Sequence, residues 1–158
     1  MKQLRICKVR EVKSPAKANI TDAGFDFFVP DSFEHHYDVL PNTSVMVPSG
    51  LLIDVPKGWA LVFFNKSGIA SKTGQLVGAQ VVDAGYQGEV FLNVHNVSTK
   101  QATIIPGMKL VQGLLLPVPE FEVVEFKDKD LMFMELSSRG TGGFGSTEDR
   151  AIADRVFH

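Results

Sequence analysis

At 158 residues, 44% of them hydrophobic, the chain has the size of one domain and enough apolar side chains for a real core. A net charge of −2 argues against a surface built to hold duplex nucleic acid, so direct nucleic-acid binding is not expected and any phosphate should be held locally. The single cysteine, Cys7, excludes an internal disulfide framework and a cysteine-built zinc cluster. No run approaches the length of a membrane span, and the start MKQLRICKVREV has no apolar leader core. The expectation is a soluble protein, cytoplasmic or otherwise intracellular, without membrane contact.

Residues 4–12 mix Leu4, Ile6, Val9 and Val12 with charges and predict a first strand near a sheet edge, ended by Pro15. A turn at 21–24 then opens a β-rich segment that contains Asp26. Short apolar runs follow at 37–40, 44–47, 51–55 and 59–64, punctuated by Pro41, Asn42, Pro48, Gly50, Pro56 and Gly58. Such spacing predicts an all-β sandwich, jelly roll or barrel, with no long helical period competing. His35 and His36 have no third ligand at useful spacing and read as loop residues.

Residues 65–74 break the β pattern. Ser67 is predicted to cap a helix of about two turns that Gly74 ends. The free N–H groups there, with Lys66 beside them, suit phosphate oxygens, although an ordinary capped helix fits the same ten residues. Residues 76–82 lead into a predicted hairpin over 81–96. In it Val90, Leu92 and Val94 alternate with Phe91, Asn93 and His95 after the turn-rich stretch 83–88. Asp83 ends the first strand. It is either a turn aspartate bonded to its own backbone or a carboxylate fixed for chemistry. Tyr86 is open in the same way, between cross-strand packing and a ligand contact.

Residues 102–105 predict another strand, and a further one begins after Pro106-Gly107. Gln112 lies within an otherwise apolar run through Leu116, where a buried amide needs partners. Residues 121–126 predict a last strand. In residues 137–147, four glycines surround Phe144. Glycine pays a high ordering entropy, so this segment is expected to stay mobile until a ligand orders it. A triphosphate nucleotide could do so through Arg139, Phe144 and the hydroxyls of Ser146 and Thr147; a flexible linker has a similar composition. In the tail 148–158, Ala151, Ile152 and Val156 share one helical face and predict a short docking helix.

Five stretches taken together carry a family likeness. They are Ala23-Gly24-Phe25-Asp26, Asn65 through Gly74, Asp83 through Glu89, Gly107 through Gln112, and Ser137 through Thr147. In this order they resemble the five motifs of the trimeric dUTP pyrophosphatases, the dUTPases. Lys66 stands where that family has arginine, and lysine acts as a point charge where arginine makes a planar fork. Gln80 stands where many members have glycine, and Glu148 replaces a further glycine.

The resemblance implies a distorted jelly roll or β-barrel with one short helix and a flexible glycine-rich arm. It divides the chain into a core at 1–136, an arm at 137–147 that closes over the nucleotide, and an extension at 148–158. It further implies a homotrimer with three sites at subunit boundaries, hydrolysing dUTP to dUMP and pyrophosphate. That reaction would keep uracil out of DNA and supply dUMP for dTMP synthesis. By the same resemblance Asp83 activates the attacking water. The main chain of Gly78, Ala79, Gln80 and Val82 reads the uracil edge, Tyr86 packs under the deoxyribose, and Phe144 covers the base. Lys66, Ser67, Gly68, Gln112, Arg139, Gly145, Ser146 and Thr147 would hold phosphate oxygens. Mg2+ would arrive on the phosphates without a direct protein ligand, and Asp26 would support the metal and site from behind.

Two other functions compete. A dCTP deaminase, alone or combined with dUTP hydrolysis, is suggested by Asp83-Ala84-Gly85-Tyr86. The deaminases use a glutamate on the following strand as proton shuttle, whereas Asn93 cannot exchange a proton at neutral pH. A regulatory or binding protein on the same fold is the other alternative. Asp83, Tyr86 and the arm occurring together argue for turnover, and the tail is the candidate for any second role.

Overall fold

The computed structural model describes residues 3–133, 135 and 137–142, and the chain divides into two units, Met1–Glu120 and Phe121–His158. The first unit holds ten strands and one α-helix. In chain order these are β1 (Arg5–Lys8), β2 (Phe25–Phe28), β3 (Tyr37–Val39), β4 (Ser44–Asp54), β5 (Trp59–Asn65), α1 (Ser67–Thr73), β6 (Gln75–Val77), β7 (Val81–Val82), β8 (Glu89–Asn96), β9 (Ala102–Ile104) and β10 (Lys109–Pro117). One sheet runs β1-β4-β8-β6, a second β2-β10-β5-β7, and β3 pairs with β9. All pairings are antiparallel. This is the all-β jelly-roll class the sequence predicts, with one short α-helix; among the described residues the sheets are open and no closed barrel forms.

Alternation explains how the two large sheets share a core. Along β8, Val90, Leu92, Val94 and Asn96 are buried while the residues between them face outward. Phe27 of β2 and Phe63 of β5 are fully buried from the other sheet and meet edge to face, their centroids 4.9 Å apart. The whole set forms a single apolar cluster. Among the described residues no helix is long and apolar enough to cross a membrane.

Four local expectations are corrected. The runs at 44–47 and 51–55 are one strand, β4, whose register on β8 slips between Pro48 and Leu52. Proline offers no N–H to the ladder, so the strand bulges there instead of ending. Ser67 is the first helical residue of α1. The cap position belongs to Lys66, which is extended and makes no side-chain cap bond; Gly74 ends the helix in the left-handed region as expected, at φ 66°.

Residues 81–96 are not a hairpin. β7 pairs with β5, while β8 already has β4 on one side and β6 on the other. The stretch 83–88 therefore crosses from one sheet to the other. Val82 is buried beside its partner Leu61, which draws this short strand away from β8. Residues 121–126 form no strand: Phe121 and Val123 are 84% and 95% exposed, and an apolar-polar run without an edge to pair with makes no ladder.

In the second unit, Asp128 Oδ1 accepts the Asp130 N–H at 2.9 Å and caps a short 3-10 turn, Lys129–Leu131. Arg139 Nε donates to the Gly142 carbonyl at 2.9 Å. Phe144, Gly145, Ser146 and Thr147 of the expected arm, and the tail with its expected helix, lie outside the described residues.

Candidate active site

One cluster forms where β5 runs into α1. Gln112 of β10 lies opposite Asp26 on β2 and opposite Phe64 on β5, so the central strand sets it between the two. Its Nε2 donates to the Asn65 carbonyl at 2.8 Å. Asn65 Oδ1 in turn accepts the Val77 N–H at 2.6 Å, which ties the end of β5 to β6. Lys66 Nζ pairs with Asp26 Oδ1, and Lys109 Nζ lies 2.8 Å from Asp26 Oδ2. Burial pushes the Asp26 carboxyl up, but the hydrogen bonds and charges of Lys109 and Lys66 outweigh it and hold the group below the usual carboxylate range. Both Asp26 oxygens are thus engaged by ammonium groups. The Lys66 carbonyl accepts the Ala70 N–H, the first bond of α1, so the N–H groups of Ser67, Gly68 and Ile69 have no partner within the helix.

A second cluster is built around the crossing 83–88. Asp83 is exposed and lines a cavity of about 210 Å³ together with Ala79, Gln80, Val82 and Tyr86. The Tyr86 ring is about half exposed, and its hydroxyl donates to the Glu89 carbonyl at 3.0 Å, folding it back over its own loop. Tyr86 also borders a larger cavity, about 500 Å³, between the crossing and β1 and β4; none of the phosphate-binding candidates lines it. The strand leading into the crossing is held from below. Gly78 N–H donates to the Asn93 carbonyl at 2.9 Å, Ala79 N–H to Asn93 Oδ1 at 3.0 Å, and Phe63 N–H to the Gln80 carbonyl at 2.8 Å. At the far end, Arg10 grips Glu89 through two bonds, of 2.7 and 3.0 Å, and Glu89 Oε1 also accepts the Gly50 N–H. The Arg10 hydrogen bond, which outweighs burial, holds the Glu89 carboxyl below its ordinary range, with help from the Gly50 N–H.

Asn65 links the two clusters through the Val77 N–H, but within one chain Asp83 and Gln112 stand apart. Val82, just before Asp83, pairs with Leu61, whereas Gln112 pairs with Phe64 on the opposite side of β5. Three residues along β5 and two strand spacings across it put ~14 Å between these levels. Lys66 and Ser67 lie further along still. Arg139 belongs to the other unit.

Three contributors are missing from the sequence reading: Lys109, the Arg10–Glu89 clasp, and Asn93 as the support of residues 78–79. Lys109 stands in the glycine-x-basic pattern before Gln112, but strict alternation puts residues 109 and 112 on opposite faces. Arg10 and Glu89 are 79 residues apart, and no local pattern pairs them. Among the described residues no three His, Cys, Asp or Glu side chains converge as a metal site.

Residues 10–148 match the model of the family described as dUTPase. The deoxyuridine 5'-triphosphate nucleotidohydrolase of Caulobacter vibrioides (strain NA1000 / CB15N) is 34% identical over 137 residues, which cover 84% of each chain. The solved structure of the Staphylococcus bacteriophage 80alpha dUTPase with dUPNHPP is similar at a TM-score of 0.78 and 21% identity, over 92% of this chain and 98% of that one. A mutant dUTPase from phage phi11 of S. aureus, solved to describe the coordination of a structural Mg(II) ion, is similar at a TM-score of 0.72 and 20% identity, over 80% and 98%. At such identities the two phage structures speak to the fold.

Proposed function

The chain belongs to the dUTPase family and is a dUTP diphosphatase, and we propose that it works by in-line attack on the α-phosphorus of a water held by Asp83. The observation that carries this reading is the position of Asp83 at the cavity lined by Ala79, Gln80 and Tyr86. Its carboxylate is exposed and free to orient a water and accept its proton. Pyrophosphate then leaves. Because the Gly78 and Ala79 N–H groups and the Gln80 carbonyl are already engaged, the uracil edge would be read by the Gln80 N–H and the carbonyls of Gly78 and Ala79. Main-chain reading of this kind tolerates glutamine at position 80. Tyr86 would support the deoxyribose and Phe144 would cover the base.

The phosphates would meet Gln112, Lys66 and the N–H groups of Ser67 and Gly68, with Arg139, Gly145, Ser146 and Thr147 closing from the arm. Among the described residues no three carboxylate, imidazole or thiol groups converge, and a magnesium ion would take its ligands from the triphosphate and water. When bound, it would neutralise charge on the leaving pyrophosphate. Asp26, with both oxygens on lysines, acts in this scheme by orienting cations around the phosphates.

The ~14 Å between the levels of Asp83 and Gln112 supports a site shared between copies: the crossing of one subunit faces the phosphate cluster of another, as in a homotrimer. Against deamination, the Asn93 carboxamide is occupied by Ala79 N–H and, through Nδ2, by the Val45 carbonyl at 3.3 Å. Replacing Asp83 by Asn tests the reading. Turnover of dUTP is expected to vanish while binding survives; undiminished turnover would remove Asp83 from the mechanism.

A further inference from the structure

Lys109 opens β10 opposite Phe28, while Gln112 lies opposite Asp26. Residues 26 and 28 share a face of β2, so residues 109 and 112 share one as well, although three apart. The register slip between Lys109 and Val111 makes this possible, because one extra residue inverts the alternation. The bulge delivers a second cation to the carboxylate that already holds Lys66. Asp26 is only 8% exposed, and each of its oxygens serves one lysine.

We propose that Lys109 is a positioning residue for the phosphate subsite. By occupying one oxygen of Asp26 it restricts that carboxylate to a single contact with Lys66 and leaves the cluster one positive charge in excess. Without Lys109, the buried carboxylate would neutralise Lys66 and draw it away from an incoming phosphate. With it, Lys66 stays at the head of α1, beside Gln112, with charge to offer. This arrangement suits lysine at position 66: an ammonium carries one compact charge that a lone carboxylate would cancel. The inference rests on the diphosphatase reading for the identity of the substrate, but its electrostatic part applies to any phosphate chain bound there.

The test uses inorganic pyrophosphate as probe, by calorimetry on the intact protein, alongside dUTP kinetics. Lys109→Met is expected to weaken pyrophosphate binding by ~10-fold and to raise KM for dUTP similarly, with kcat within about threefold. Lys109→Arg is expected to restore most of the affinity. The discriminating variant is Lys109→Met combined with Asp26→Asn. With no carboxylate left to neutralise Lys66, pyrophosphate affinity is expected to recover towards wild type, which a merely structural role for Lys109 would not produce. If Lys109→Met fails to fold, Lys109→Gln keeps a donor without the charge and carries the same expectation. Wild-type affinity in the single variant, or a double variant as weak as the single one, would overturn the proposal. Absence of dUTP turnover in the wild type would instead strike the diphosphatase reading and leave the pyrophosphate comparison to decide Lys109.

Discussion

Gly78 lies directly against the carboxamide of Asn93: a Cβ at position 78 would stand 1.9 Å from Asn93 Oδ1 and 2.4 Å from His95 Nε2. Asn93 cannot yield freely, because Oδ1 accepts the Ala79 N–H and Nδ2 donates to the Val45 carbonyl. The smallest residue at 78 is what lets one side chain on β8 hold the strand proposed to read the base. Gly78→Ala is therefore expected to cost about 1–3 kcal/mol of stability, as both hydrogen bonds are broken. It should also raise KM for dUTP more than it lowers kcat. Chemical denaturation together with steady-state kinetics checks both parts.

Asp83→Asn separates chemistry from fold. The carboxylate is exposed, so stability is expected to change by no more than about 0.5 kcal/mol. Loss of the general base should lower kcat by at least ~10²-fold while a non-hydrolysable dUTP analogue still binds. Single-turnover kinetics and calorimetry on the same preparation would decide it.

The pH dependence of stability should carry the mark of Asp26. Burial alone would raise its pKa, but Lys109 and Lys66 lower it below the unfolded value. A depressed folded pKa means stability that is fully present above the unfolded pKa. It is lost as pH falls from the ordinary aspartate value of about 3.9 through the lower folded one. Wild type should thus exceed Asp26→Asn in stability most clearly near neutrality, with the gap closing in acid. Denaturant unfolding at a series of pH values would show it; a gap that widens in acid would contradict the ion cluster.

A shared site predicts complementation between inactive subunits. Co-expressed Asp83→Asn and Gln112→Ala chains would form mixed assemblies in which some sites draw an intact Asp83 from one copy and an intact Gln112 from another. For random mixing in a closed ring, about a quarter of sites regain both residues. Activity well above that of either variant alone is expected, whereas none would return if each chain completed its own site.

Much of this was legible in the residues. The alternation of Val90, Leu92 and Val94 marked β8 as a strand, and Gly74 marked the end of α1. What failed was pairing. The turn-rich stretch 83–88 looks locally like a hairpin, yet whether Val81 and Val82 join β8 or β5 depends on a competition between edges distant in sequence. Pro48 read as a strand end because a bulge can be recognised only with its partner strand in place. Residues 121–126 mix Phe and Val with Glu as a strand might, but they find no edge among the described residues. Lys109 escaped notice for the same reason as Pro48: a single slipped residue changes which face a side chain shares.

Dependence of dUTP hydrolysis on base and sugar is tested most directly by chromatographic analysis of nucleotides after incubation with magnesium and, separately, dUTP, dCTP, dTTP and UTP. Equal amounts of dUMP and pyrophosphate are expected from dUTP, with the other three nucleotides left intact. Formation of dUTP or dUMP from dCTP, or no product from dUTP, would contradict this expectation.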